Sequence, residues 1–350
     1  MSSSVYISVY LFDRRIFAGG EFVYLYNLDQ ELHPGSLLSV EFGSELVLAL
    51  FDRVLSEDEI AQMDIDREKI KEVQEVKQWH ISAYGLALAQ FMAQRYFCSV
   101  GQALSAFLPK QIKEQSFQKE KTQYYQIDPQ IQEETLHAIR GNKQKELIAQ
   151  LQKAGESSRK ELSGFSLATL RSLQEKSIIQ SREEECFLDI GYALSDEEME
   201  QFIQYTLNTD QQTVVDDILQ SDRSCHLIHG VTGSGKTEVF LQRIEQVLQS
   251  GQQCLVLLPE IALTPQTLAR FTARFSELFS QDQQIAMLHS GLSDRARASE
   301  YLRISENRVP LVIGSRSSIF APFQNLGLIV MDEVHDESFH QDSTPRYRTL

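Results

Sequence analysis

Apolar and polar residues alternate near the amino terminus: Val5, Ile7, Val9 and Leu11 fall on one side of a two-residue period. That period marks a half-buried strand. Phe22-Val23-Tyr24-Leu25-Tyr26 follows Gly19-Gly20, Pro34-Gly35 precedes Leu37 to Phe42, and Gly43-Ser44 leads into Leu46 to Phe51. Short strands separated by regular turn signals predict a small β-barrel or curled sheet. Ser56 is placed to cap a helix whose first turn holds Glu57, Asp58 and Glu59. From Lys77 to Phe107 the spacing becomes helical, through Ile81, Tyr84, Leu88, Phe91, Met92, Leu104 and Phe107, with a break near Gly101. Leu108-Pro109 closes a first domain, residues 1–109.

Residues 110–130 are polar and read as a linker. Over 131–190, Leu147, Ile148 and Leu151 share a helix face ending at Gly155. Arg159 to Ser163 reads as a short second helix, and Ser166 caps a third that carries Leu167, Leu170 and Leu173. Ile178-Ile179 reads as a strand, Arg182 to Glu185 as a charged turn and Phe187-Leu188 as the return. Helix, helix, helix and hairpin is the order of a winged helix. Residues 191–205, with Asp196-Glu197-Glu198, form an acidic linker.

From residue 206 strands and helices alternate. Thr209 and Gln212 fit a capping box. Apolar runs predict strands at Cys225–Ile228, Cys254–Leu258, Ile285–Leu288, Leu311–Ile313 and Leu328–Met331. A helix over Pro265–Phe279 is opened by Thr264 as cap and Pro265 in its first turn. The alternation implies a mostly parallel sheet with ligands at the carboxyl ends of its strands.

The chemistry is concentrated in this last region. Gly230-Val231-Thr232-Gly233-Ser234-Gly235-Lys236-Thr237 fits the phosphate-binding loop G-x-x-x-x-G-K-[ST]. Its glycines let backbone N–H groups approach phosphate oxygens, Lys236 supplies a charge for the β- and γ-phosphates, and the Thr237 hydroxyl is a Mg²⁺ ligand. Leu328 to Met331, bounded by Gly327, reads as a strand buried on both faces and ends in Asp332-Glu333. Asp332 is placed to hold Mg²⁺ through water, and Glu333 to polarise an attacking water.

Composition narrows the setting. The 350 residues allow two or three domains, and the net charge of −16 argues against wholesale affinity for nucleic acid. One stretch departs from the average. Between 140 and 176, Arg140, Lys143, Lys145, Lys153, Arg159, Lys160, Arg171 and Lys176 outnumber Glu146, Glu156, Glu161 and Glu175. This is either a DNA-contact surface or a solvated helix face. The four cysteines form no C-x-x-C pair and read as reduced thiols of a cytoplasmic protein. No apolar run reaches the length of a membrane span, so no membrane partner is expected.

The strings HGVTGSGKTEVF (229–240), LLPEIALTPQT (257–267), LHSGLS (288–293), IGSRSSIFAPF (313–323) and IVMDEVHDESFHQ (329–341) resemble the first, RecA-like motor lobe of superfamily 2 helicases. They are closest to the bacterial replication-restart helicases of the primosome. The resemblance implies an ATP-dependent 3′→5′ DNA helicase using ATP and Mg²⁺ on forked and single-stranded DNA. Its implied partners are single-stranded-DNA-binding protein and other primosome proteins, and the chain is expected to be a monomer.

Position by position, the resemblance makes Gln211 the reader of adenine. It places Pro259, Glu260, Thr264, Gln266 and Arg316 in motifs that contact the tracked strand, and Phe339 in an aromatic loop coupling DNA to the ATP site. Asp332-Glu333-Val334-His335 stands where the family has D-E-E-H and keeps both acting acids. Upstream, residues 1–108 resemble the family's 3′-DNA-end-binding domain. There Phe22-Val23-Tyr24 replaces Phe-Asp-Tyr and offers Phe22 and Tyr24 as stacking surfaces. The family's second motor lobe, arginine finger and paired-cysteine zinc module are expected beyond Leu350, so zinc ligands are absent from this chain. A competing reading is a DNA-structure or protein-binding module whose nucleotide fold is inactive without the second lobe.

Overall fold

A computed structural model describes residues 4–12, 21–63, 65–114, 116–137, 139–188, 206–231, 233–275, 278–279, 285–343 and 345–349. The acidic linker expected at 191–205 lies outside the described residues. The chain divides into two compact units, one of Met1–Phe117 with Ile190–Leu350 and one of Gln118–Asp189.

In the first unit, β1 (Val5–Leu11), β2 (Glu21–Tyr26), β3 (Ser36–Phe42), β4 (Glu45–Leu55) and β5 (Val73–His80) form an antiparallel sheet in the order β2-β1-β4-β3-β5. A parallel bridge between Leu25 and Glu72 brings its two outer edges together. The alternation seen in the sequence gives a core of Ile7, Val9, Leu11, Leu38, Val40, Ala49 and Phe51. Ser56 caps α1 (Glu57–Gln62) in a capping box with Glu59. One expectation fails at β5. The segment around Lys77 is strand rather than helix, because Ser36 to Val40 of β3 supply a pairing edge for Val73 to His80. Helix begins only at α2 (Ala83–Tyr96), and α3 (Val100–Leu104) and the short α4 (Lys110–Lys113) follow.

The second half of this unit is a four-stranded parallel sheet. In the order β10-β11-β9-β12 it comprises β9 (Gln253–Leu257), β10 (Ala286–Leu288), β11 (Leu311–Gly314) and β12 (Leu326–Met331). Cys254 and Val256 face the helices α9 (Lys236–Gln249) and α10 (Pro265–Phe275), through Phe240, Ile244, Phe271 and Phe275. Leu255 and Leu257 face the other way, toward Ile304 of α11 (Asp294–Ser305) and Phe339. Buried Gln253 fixes the start of β12. Its amide donates to Val309 O at 2.8 Å and its carbonyl accepts from Gln324 N and Asn325 N at 2.8 and 3.1 Å.

Two strand expectations are corrected here. Cys225–Ile228 pairs with no strand among the described residues, and Leu227 is 79% exposed. β12 is not buried on both faces: it ends the sheet order, and Ile329 is exposed. Both follow from one cause, since an apolar run becomes a buried strand only where a neighbour covers it. The helix expected to Phe279 ends at Phe275.

Glu300 on α11 is fully buried. Burial pushes its carboxyl above the ordinary range, against the pull of Arg303, whose Nη1 donates to it at 2.6 Å. A raised folded value gives a contribution to stability that is complete below the unfolded value of about 4.3 and lost as pH rises through the folded one. Relative to Glu300→Gln, the melting temperature of the parent is therefore expected to fall as pH rises above about 4.3 and to level off above the folded value. A pH-independent difference in paired melts would contradict this.

In the second unit, β6 (Glu120–Ile127) lies between β7 (Glu156–Ser158) and β8 (Ile179–Cys186) in an antiparallel sheet. The helices are α5 (Glu133–His137), α6 (Asn142–Ala154) and α7 (Leu167–Glu175). Leu147, Leu151, Leu162, Leu170 and Leu173 are buried together with Tyr125. The expected linker at 110–130 thus contains the central strand of this sheet. The expected helix at Arg159 to Ser163 is a turn, closed by the Arg159 guanidinium on Leu162 O and Phe165 O at 2.6 and 3.2 Å. Arg182 to Glu185 continue β8 instead of turning, and Arg182 binds Glu156 through Nε and Nη2 at 2.7 and 2.8 Å. Part of the basic surface is spent internally, since Arg159 is a turn clamp and Lys143 pairs with Glu146.

Candidate nucleotide and DNA site

α8 (Thr209–Gln220) begins one residue earlier than the capping box in the sequence suggested. Asn208 is the cap, and Gln211 completes the box. Gln211 Oε1 accepts from Asn208 N at 2.9 Å while its Nε2 donates to Ser234 O at 3.1 Å. The residue matched to adenine recognition therefore also braces the phosphate-binding loop. Gly233 and Gly235 both have φ of +81°, a region costly for any side chain. At Gly230 a Cβ would lie 2.8 Å from Ser234 Oγ, whereas one at Gly233 would meet nothing within 4 Å.

Gly235 is the cap of α9 and makes no side-chain cap bond. The first bond within the helix is Glu238 N to Gly235 O, so the amides of Lys236 and Thr237 have no partner among the described residues. An uncapped first turn carries partial positive charge. Lys236 Nζ donates to Gly230 O and Val231 O at 2.8 and 3.1 Å, folded over the loop. α9 passes through Ser250–Gln252 into β9, so its last turn is at the amino ends of the strands and its first turn at their carboxyl ends. Asp332 lies at that same end: it follows β12, and its N–H donates to Leu257 O at the tip of β9 (3.0 Å). Asp332 Oδ1 accepts from Glu333 N at 3.0 Å, and Glu333 has φ of +49°. A carboxylate residue held in that region stores strain of about 1–3 kcal/mol.

The donor set fits a nucleoside triphosphate and Mg²⁺: two glycines at positive φ, amides without a described partner, an ammonium, a hydroxyl and two carboxylates at one end of the sheet. Among the described residues no cluster of three or more His, Cys, Asp or Glu side chains is placed to hold a metal by itself. All four cysteines are free thiols.

The residues matched to DNA contacts divide. Glu260 and Gln266 are exposed, and so is Ile261, at 86%. Thr264 caps α10, accepting from Thr267 N at 3.2 Å. Pro259 is buried and Phe339 is 1% exposed, so neither ring is open to a base; Phe339 is part of the core under Leu257 and Leu288. Arg316 has a structural bond set that the sequence did not suggest, donating to Ser338 O at 3.3 Å and to His340 O. It thereby clamps the segment that holds Phe339.

Tyr24 is a core residue, 5% exposed, with its hydroxyl donating to Glu41 O at 3.0 Å. Burial pushes its phenol up to about 12. It offers no stacking face. Phe22 packs edge-on against Phe42 with centroids 5.4 Å apart. Phe22 and Val23 line a cavity of about 460 Å³ that also touches Glu21, Asp66 and Lys69. Sequence reasoning missed the two carboxylates: Glu21 shares β2 with Val23, and Asp66 reaches the cavity from the turn after α1.

Residues 14–109 match the family described as 3′DNA-binding domain (3′BD), and residues 208–349 match the DEAD/DEAH box helicase family. The chain is 42% identical over 194 residues to the replication restart protein PriA of Bacillus subtilis, covering 52% of this chain and 22% of that protein. It is 32% identical over 279 residues to PriA of Chlamydia pneumoniae (74% of this chain, 35% of that protein). The chain belongs to the PriA family. It spans about a fifth to about a third of the curated relatives it matches, as with Treponema pallidum PriA, 48% identical over 145 residues and 21% covered. Within the PriA family frame, the sheet around Phe22 falls in the 3′DNA-binding region, and the loop, α9 and Asp332 fall in the helicase region. No helix among the described residues is long and apolar enough to cross a membrane.

Proposed function

We propose that this chain supplies the DNA-binding domains and first motor lobe of an ATP-dependent 3′→5′ DNA helicase that acts at forked DNA in replication restart. The observation that carries the reading is the uncapped start of α9 at Lys236, set at the same end of one parallel sheet as Asp332. In the bound state the amides of Gly233 to Thr237 hold phosphate oxygens, Lys236 exchanges its loop carbonyls for the β- and γ-phosphates, and Thr237 and Asp332 hold Mg²⁺. Gln211 recognises adenine, and Glu333 orients water against the γ-phosphate. Mg²⁺ supplies neutralisation of developing charge on the phosphates.

In the same reading the curled sheet takes a DNA end at the Phe22–Val23 cavity. The three-stranded unit is a winged helix whose α7 approaches DNA with Arg171. Single-stranded DNA crosses the motor at Glu260, Thr264 and Gln266. Single-stranded-DNA-binding protein and other primosome proteins are the proposed partners, in the cytoplasm. Hydrolysis by this chain alone is low, because an arginine finger contributes roughly 10³–10⁵ in rate in comparable phosphoryl-transfer enzymes.

The test is a titration of labelled forked duplex with the parent and with Lys236→Ala, each with and without Mg²⁺–ATP. The motor reading expects fork binding that responds to nucleotide in the parent and loses that response in the variant. Strong binding that ignores both nucleotide and Lys236 would instead favour a binding module with a silent nucleotide fold.

A further inference from the structure

We infer that Arg95, Arg346 and Arg348 form one phosphate-binding surface, which carries single-stranded DNA across the junction between the 3′DNA-binding region and the helicase region. The inference rests on the proposed DNA-binding function and adds to it contacts that none of the matched motifs contains.

The junction is built around Tyr96, at the end of α2. Its hydroxyl donates to Arg348 O at 3.1 Å and accepts from Arg348 N at 3.2 Å, so one side chain fixes both backbone groups of a residue 252 positions away. The Arg95 guanidinium lies 6.0 Å from the centroid of the same Tyr96 ring. Arg95 and Arg348 are therefore held at one place from two distant parts of the chain.

The two-residue period of the last strand does the rest. In β14 (Tyr347–Arg348), paired with β13 (His340–Gln341), Tyr347 points inward and is 5% exposed. Its ring sits 5.0 Å from that of Phe320, which sits 4.7 Å from that of Phe107. This stack anchors the strand against the first domain. Arg346 and Arg348, on either side of Tyr347, then face outward and are exposed. Arg346 Nε is oriented by Asp342 O at 2.9 Å.

Charge identifies the occupant. In a chain of net charge −16, none of these three arginines forms an ion pair with a described carboxylate. Three guanidinium groups without a described carboxylate partner, one of them over the Tyr96 ring, match a sugar-phosphate backbone, with which arginine forms bidentate bonds. Phe97, 96% exposed beside Arg95 at φ of +53°, adds a free ring on which a base can stack. Arg316 continues the line, because it clamps Ser338 and His340 at the other end of the same segment.

The test is equilibrium binding of a labelled oligo(dT) strand to the full chain at several salt concentrations. Parent, Arg95→Gln, the double variant Arg346→Gln/Arg348→Gln and the matching Arg→Lys variants are compared. Each lost phosphate contact is expected to flatten the slope of log affinity against log salt by about 0.7 for single strands. Arg95→Gln should thus flatten it by about 0.7 and the double variant by about 1.4, with weaker binding in both, while the lysine variants keep the parent slope. Unchanged slopes, or an effect confined to one of the two segments, would overturn the surface while leaving the DNA-binding reading intact. Loss of polyglutamate binding with oligo(dT) binding unchanged would also overturn it, in favour of an acidic peptide. A parent that binds no oligo(dT) would overturn both the surface and the reading it rests on.

Discussion

Lys236→Ala is expected to weaken binding of Mg²⁺–ATP by roughly 10- to 100-fold, the effect of losing about 1.5–3 kcal/mol from bonds to a charged partner. The ammonium is already gathered over the loop by Gly230 O and Val231 O, so its position costs little to reach when phosphate replaces those carbonyls. The same variant is expected to leave folding almost unchanged, since these bonds join partly exposed groups at a loop and not the sheet beneath. Titration with a fluorescent ATP analogue, with a melting curve beside it, measures both quantities. Equal affinity in parent and variant would remove Lys236 from the site.

Gly314→Ala is expected to have the larger structural effect. A Cβ at this position would lie 1.9 Å from Ser318 Oγ and 2.5 Å from Leu288 O. The first clash is with a buried side chain that already donates to Leu288 O at 3.1 Å, and the second is with backbone of the neighbouring strand. Neither can yield without parting the tips of β10 and β11, where Leu288 pairs with Gly314. Overpacking of a closed core costs about 1–3 kcal/mol, and more where backbone must move. The expected result is a lower melting temperature of the motor region together with weaker DNA binding, because Arg316 follows two residues later. A variant as stable as the parent would mean that these strand tips are looser than their packing suggests.

The elements that could be read in advance are those whose signal is local. β1 to β4 announce themselves by a two-residue period between glycine and proline turns, and α9 by a loop whose spacing has a chemical cause. Elements that depend on distant partners were hidden. β6 opens on the polar run Glu120, Lys121, Thr122 and Gln123, of which Lys121 and Gln123 are exposed, and only its pairing with β7 and β8 makes it a strand. Cys225–Ile228 shows the converse, an apolar run without a pairing neighbour.

The candidate site divides the same way. Lys236, Thr237 and Asp332 were named from spacing, and the topology sets them at one end of the sheet. Burial was not written in the sequence: Tyr24 looks like a stacking residue there and Phe339 like part of a loop coupling DNA to the ATP site, and both are core residues in the fold. Nor was the arginine surface at Tyr96, since its parts come from residues about 250 positions apart.

The most direct measurement is a crystal structure of this chain with Mg²⁺ and a non-hydrolysable ATP analogue. The account requires one triphosphate whose oxygens are bonded by Lys236 Nζ and the amides after Gly233. Its Mg²⁺ must be bound by Thr237 and bridged through water to Asp332. Nucleotide held elsewhere, or a triphosphate at Lys236 whose metal makes no approach to Asp332, would contradict it.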